Sequence, residues 1–181
     1  MKILETPRLS LRHMTLDDAP FILELLSDAD FIRFIGHKGV HNLDDAQRYI
    51  TTGPLASYEK NGFGLYLVEL RETRDSVGMC GFVKRDTLPH CDIGYAFVPR
   101  YRGRGYVVEA ASAMLEYGRD VLAITRVLAI TDPDNERSIR VLEKIGLRFD
   151  GLLQLTPDAP AIRLYTSAPP GLDDAGTLPD A

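Results

Sequence analysis

The chain has 181 residues, 45% of them hydrophobic and 26% charged, with a net charge of -5. That length supports one domain with a proper core, and the acidic balance argues against nonspecific nucleic-acid binding. No apolar run approaches a membrane span, the start Met1-Lys-Ile-Leu-Glu lacks a signal-peptide core, and cytosol is the default compartment.

In chain order, Thr6 to Arg12 alternates, with Leu9 and Leu11 opposite Arg8, Ser10 and Arg12, which predicts a half-buried first strand. Thr15 followed by Asp18 resembles an N-cap arrangement, and Phe21, Ile22, Leu25 and Leu26 form a helix stripe ending near Ser27-Asp28. A short helix over 30–35 and a loop over 36–42 follow. A helix is expected over 44–58, interrupted at Gly53-Pro54. Strands are expected over 65–71 and 77–84, with Gly78 and Gly81 weakening or bending the second. Together with a strand over 92–98, these form an antiparallel meander. Cys80 and Cys91 are too few for a disulfide framework and read as buried free thiols on neighbouring strands. His37 and His41 flank Gly39 in a loop with no acid to complete a site, so no metal is expected.

The stretch 92–109 organises the chain. Asp92 to Val98 reads as a buried strand, and Pro99 ends it because it has no N–H to donate. Arg100, Arg102 and Arg104 then interleave with Gly103 and Gly105, and a helix begins near Tyr106. A helix N-terminus offers unpaired N–H groups and a positive dipole end, and glycines let an anion come close. This reads as a pyrophosphate cradle. The dinucleotide pattern fails because a third glycine is missing at Val108, and the mononucleotide loop fails for want of Gly-Lys-Ser/Thr.

Beyond that helix, a strand over 127–131 predicts a parallel crossover. Asp132 to Asn135 introduces another helix, with Ile139, Leu142 and Ile145 as its stripe and Gly146 as its C′ residue. Strands are expected within 147–155 and 161–166. Residues 167–181 read as a disordered tail after a domain of 1–166.

Several segments resemble the GNAT superfamily of N-acetyltransferases, in the branch of the ribosomal-protein N-terminal (RimJ/RimL-type) enzymes. They are Glu5 to Arg12, Gly78 to Gly81, Asp92 to Tyr95, Arg100 to Gly105 with the helix after it, and Asn135 to Gly146. Leu147 departs from the phenylalanine usual after that glycine. The resemblance implies an α+β fold with a mixed, mostly antiparallel sheet of about seven strands. That sheet is splayed between its fourth and fifth strands and flanked by helices. It implies acetyl-CoA in the splay: backbone of Phe97 and Val98 on the pantetheine, N–H groups from Arg102 through Gly103, Arg104 and Gly105 to Tyr106 on the pyrophosphate, and charge from Arg104 and Arg102. Asn135 would bind pantetheine and Ser138 would sit near the thioester sulfur, although Asn135 as a helix cap with Ser138 as its N3 residue remains an alternative.

The implied reaction is acetyl transfer from CoA to a primary amine, either a protein N-terminal α-amine or a small molecule, by direct attack on the thioester. Asp92 is the candidate general base. Ser138 is the candidate acid, with Tyr165 as a second, while Glu109 compensates the helix dipole or makes a buried hydrogen bond. The alternative is a noncatalytic acyl-CoA-binding or regulatory module on the same fold. Arg33 and Arg85 would suit an acceptor bearing a carboxylate or phosphate. The implied partners are acetyl-CoA and an amine, with no metal, nucleic acid or membrane, and a homodimer is admitted.

Overall fold

The computed structural model describes residues 1–168. The strand expected over 6–12 shortens to β2 (Leu9–Arg12), and an unexpected strand, β1 (Lys2–Glu5), precedes it and pairs with it antiparallel. The corner between them is fastened by Thr6, whose N–H donates to the Leu9 carbonyl and whose Oγ1 accepts the Leu9 N–H, each at 2.9 Å. With β1 outside it, β2 is not a half-exposed edge. Ser10, expected on the solvent side, is 2% exposed.

Four helices precede the next strand: α1 (Ala19–Leu26), α2 (Ala29–Phe34), α3 (Leu43–Ile50) and α4 (Ala56–Asn61). Between α3 and α4 the chain widens into a π-type turn over Thr51–Leu55. Pro54 lies inside it and lacks the N–H that regular helix geometry needs. The interruption expected at Gly53-Pro54 is therefore a local widening.

The meander follows as expected: β3 (Leu65–Leu70), β4 (Ser76–Val83) and β5 (Asp92–Phe97), all antiparallel. Then come α5 (Tyr106–Asp120), β6 (Leu128–Thr131), α6 (Glu136–Lys144), β7 (Arg148–Leu153) and β8 (Ile162–Thr166). The sheet has eight strands in the order β1-β2-β3-β4-β5-β6-β8-β7. The count exceeds the expected seven because β1 lies ahead of the expected first strand, so the expected splay falls between β5 and β6. That pair is the parallel one, and its register holds a single rung, Asp92 opposite Leu128.

Helices cover both faces of the sheet. Side chains alternate across each strand, so Leu67, Met79 and Val98 pack with Ile22, Leu25 and Ile50 of α1 and α3. Tyr66, Val68, Phe82 and Phe97 pack on the other face with Ala110, Ala111 and Met114 of α5. Cys80 and Cys91 are both free and buried. The chain stays attached beyond the expected boundary at 166. Ser167 pairs with Val127 through its N–H and its Oγ, and Arg148 Nε donates to the Ala168 carbonyl at 2.8 Å. The rest of the expected tail lies outside the described residues.

Candidate active site

Strand β5 bounds one side of the splay. The Val98 N–H, just past it, donates to the Val77 carbonyl of β4 at 3.1 Å. Because N–H and C=O of one residue point the same way along an antiparallel strand, Val98 faces β4 while Tyr95 and Phe97 turn their backbones to the open side. This corrects the pairing expected for Val98, whose N–H is already committed. The Phe97 carbonyl accepts from Arg102 Nε at 2.8 Å.

After a short turn over Pro99–Tyr101, Arg102 donates its N–H to the Pro99 carbonyl. The three arginines then part in role. The Arg102 guanidinium is held by Asp28 and Asp30 as well as Phe97. It is a strut between α2 and the loop, so the expectation that it adds charge for an anion is corrected. Arg100 pairs with Glu24 of α1. Arg104 is exposed, makes no ion pair among the described residues, and lies 5.6 Å from the Tyr101 ring.

Gly103 (φ 74°) and Gly105 (φ 80°) are both left-handed, and Gly105 is the N-cap of α5 with no side chain to cap it. The first helical bond runs from the Glu109 N–H to the Gly105 carbonyl. The N–H groups from Gly103 to Val108 have no protein partner among the described residues. A Cβ at Gly103 would point into open space. This donor set fits a pyrophosphate. Arg8 closes the loop from outside, donating to the Arg104 carbonyl at 3.0 Å and to Glu109 at 2.6 Å. Burial opposes ionisation of Glu109, but hydrogen bonds from Thr6 and Arg8 outweigh it and hold its pKa below the usual glutamate value. Glu109 is thus the hub joining the β1–β2 corner to α5.

Across the splay, Asn135 caps α6, its Oδ1 accepting the Ser138 N–H at 3.1 Å. Its Nδ2 makes no hydrogen bond among the described residues. Ser138 Oγ lies 3.0 Å from the Tyr95 hydroxyl, so β5 and α6 meet through these two side chains. Burial pushes the Tyr95 phenol above the ordinary tyrosine value, and the bond to Ser138 only partly offsets this. Tyr165 is different: its buried hydroxyl has no hydrogen-bond partner among the described residues, and its ring, itself in the core, packs edge-on to the exposed Phe149. Asp92 is 1% exposed and accepts from Arg85 Nε at 2.9 Å. Burial raises its pKa above the usual aspartate value and Arg85 opposes the rise.

Two cavities meet here. One of about 330 Å³ is lined by Phe97, Gly103, Gly105, Tyr106, Asn135 and Ser138. The other, about 620 Å³, is lined by Tyr49, Lys38, Arg85, Asp92 and Ile162 among others. Tyr95, Ser138, Phe31, Phe34 and Ile35 line both. The structure therefore brings Phe97, Arg102, Gly103, Gly105, Tyr106, Asn135 and Ser138 to one cleft and Asp92 to its neighbour, with the Arg102 guanidinium engaged by Asp28 and Asp30, and leaves Tyr165 outside both linings. Sequence reasoning missed Tyr95, although its parity with Phe97 on β5 puts it on the open side. It also missed Asp30, which holds both Arg102 and Arg137. Among the described residues no group of three metal-ligating side chains occurs, and His37 and His41 stand with ring centroids 5.0 Å apart.

Residues 8–148 match a family model described as acetyltransferase (GNAT) domain. An uncharacterized N-acetyltransferase of Bacillus subtilis, YoaA, is 32% identical over 84% of this chain and 86% of its own. A GNAT-family acetyltransferase from Bacillus anthracis has a similar structure, with a TM-score of 0.76, 29% identity, and 92% and 97% of the two chains covered. A ribosomal L7/L12 α-N-protein acetyltransferase in complex with coenzyme A shares the fold at a TM-score of 0.73 and 17% identity, covering 92% of this chain and 97% of that one.

Proposed function

The chain belongs to the GNAT acetyltransferase family, and from that premise we propose that it transfers the acetyl group of acetyl-CoA to a primary amine by direct attack on the thioester. The observation that carries the reading is the junction of two cavities at Tyr95 and Ser138. One cavity has the donors for a pyrophosphate and the other is a separate room for an amine.

In this reading the N–H groups of Gly103 to Val108 hold the pyrophosphate, and Arg104 adds charge from outside. The open backbone of β5 at Tyr95 and Phe97 and the Asn135 amide orient the pantetheine. Acetyl-CoA supplies an activated acyl group. Asp92 takes the proton that the amine must lose as the new C–N bond forms. Tyr95, aligned by Ser138, gives a proton to the sulfur as the C–S bond breaks. Ser138, expected as the acid, takes a positioning role in this reading, and the phenol is the stronger candidate donor because it is the more acidic hydroxyl. The Asp92–Arg85 bond fixes the carboxylate's orientation while burial keeps it basic.

The test is incubation of the purified protein with acetyl-CoA and a panel of primary amines, reading free thiol and product mass. Stoichiometric thiol and acetylamine are expected. Binding of acetyl-CoA without any acetylated product would reject transfer and leave a binding module.

A further inference from the structure

The larger cavity has a charge that runs against the rest of the chain. The protein is acidic overall, with a net charge of -5. Yet the cations Lys38, Lys60, Lys84 and Arg85 line this cavity against only two carboxylates, Asp92 and Asp132. Asp92 is already bonded to Arg85, and Asp132 accepts the Asp134 N–H at 2.8 Å. Lys38 and Lys60 make no ion pair among the described residues. Lys38 is exposed as a whole residue, and it lines the cavity wall together with Arg85. Burial and the like charge of Arg85 together lower its pKa from the ordinary lysine value. Lys38 and Arg85, with Asp92 bonded to Arg85, are a poor wall for a second positive ligand. They are a good wall for an anion.

Building on the acetyltransferase reading, we propose that the acceptor is a small primary amine carrying its own anionic group, a carboxylate or a phosphate, which the Lys38–Arg85 wall receives while the amine points to Asp92 and Tyr95. The volume, about 620 Å³, is that of a small-molecule site. Phe31, Phe34 and Ile35 supply apolar walls at the junction with the neighbouring cleft. The same charge balance turns away polyamines, whose added ammonium groups would meet Lys38, Lys60 and Lys84. The specificity element is carried by Lys38, in the loop after α2, a side chain that lines the larger cavity and not the acetyl-CoA cleft.

The experiment compares kcat/KM for matched amines: an ω-amino carboxylate, phosphoethanolamine, a neutral alkylamine of the same length, a diamine, and tripeptides with and without an acidic residue. Binding of acetyl-CoA is measured on the same samples by calorimetry. The anionic small amines should exceed the neutral one by at least about tenfold and the diamine by more. The carboxylate and phosphate arms identify which anion is preferred. In Lys38→Met the anionic-to-neutral ratio should fall about tenfold, through KM for the anionic amine and not through kcat. A ratio unchanged in Lys38→Met overturns the inference. So does preference for the neutral amine, the diamine or the acidic tripeptide, in each case with the acetyltransferase reading intact. Failure to acetylate any amine refutes that reading and this one together.

Discussion

Removing one oxygen at the cavity junction separates a structural role from a chemical one. In Tyr95→Phe the ring keeps its packing and loses the hydroxyl that lies 3.0 Å from Ser138 Oγ. A neutral hydrogen bond contributes ~1 kcal/mol, and leaving its partner unpaired in a buried place adds ~1 kcal/mol more. A loss of stability of about 2 kcal/mol in urea unfolding is therefore expected, with the fold intact. A positioned general acid contributes about 100- to 10,000-fold to rate, or ~3–5 kcal/mol of barrier. The expected kcat, read as thiol release at saturating acetyl-CoA, is down by at least about 100-fold, with acetyl-CoA affinity nearly unchanged. Because burial keeps the Tyr95 pKa above the ordinary tyrosine value, the wild-type rate should show no alkaline fall from this group below about pH 10. Ser138→Ala should be nearly as slow, and the double variant no slower than Tyr95→Phe if the two act as one relay. A kcat for Tyr95→Phe within about twofold of wild type across the pH range would refute the reasoning.

Burial raises the Asp92 pKa, so the rate should rise with pH through a midpoint above the usual aspartate value. Asp92→Asn should flatten that limb and lower kcat/KM, and an unchanged profile would remove Asp92 as the base. Gly103→Val puts a branched side chain where a Cβ meets only open space at φ 74°. It should weaken acetyl-CoA binding by at least about tenfold at a stability cost of ~1–2 kcal/mol, and calorimetry showing normal affinity would empty the cradle of its role. Arg102→Ala should lower stability by ~2 kcal/mol through loss of charged hydrogen bonds to Asp28 and Asp30, whereas Arg104→Ala should leave urea unfolding unchanged and raise KM for acetyl-CoA. Gly118→Ala would place a Cβ 2.5 Å from the Phe82 ring and should cost ~1–3 kcal/mol by overpacking, checked by thermal unfolding.

What was legible in the sequence came from local rules. The meander, the α5 crossover and the Asn135 cap each follow from periodicity or a short motif, and they lie where those signals put them. The misses depend on partners distant in sequence. Arg100, Arg102 and Arg104 look alike as a basic glycine-rich run. Only the position of α2 and α1 turns Arg102 toward Asp28 and Asp30 and Arg100 toward Glu24, while Arg104 makes no ion pair among the described residues. Val98 reads like Phe97 until the register with β4 shows which residue spends its N–H inside the sheet. Tyr95 becomes a candidate only when α6 brings Ser138 across the splay, a contact between residues 43 apart in sequence. Strand β1 is only four residues long, too short to show a period, and it becomes a strand by pairing with β2 across the corner at Pro7. Charge in the larger cavity was partly visible through Arg85 and through Lys38 in the 36–42 loop, but Lys60 and Lys84 join it only in the folded chain.

The lone rung between Asp92 and Leu128 has a consequence for how the protein breathes. Strands β6 to β8 with α6 form a half-sheet that shares few backbone bonds with β1 to β5, so it is the natural unit to open ahead of global unfolding. Amides of Ala129 and Tyr165, opposite each other in that half, should exchange with solvent sooner than those of Val68 in the meander. Occupation of the gap adds bridges between the halves and should slow exchange at Ala129 and Tyr165 selectively. Isotope exchange thus offers a readout of binding that needs no turnover and no knowledge of the acceptor.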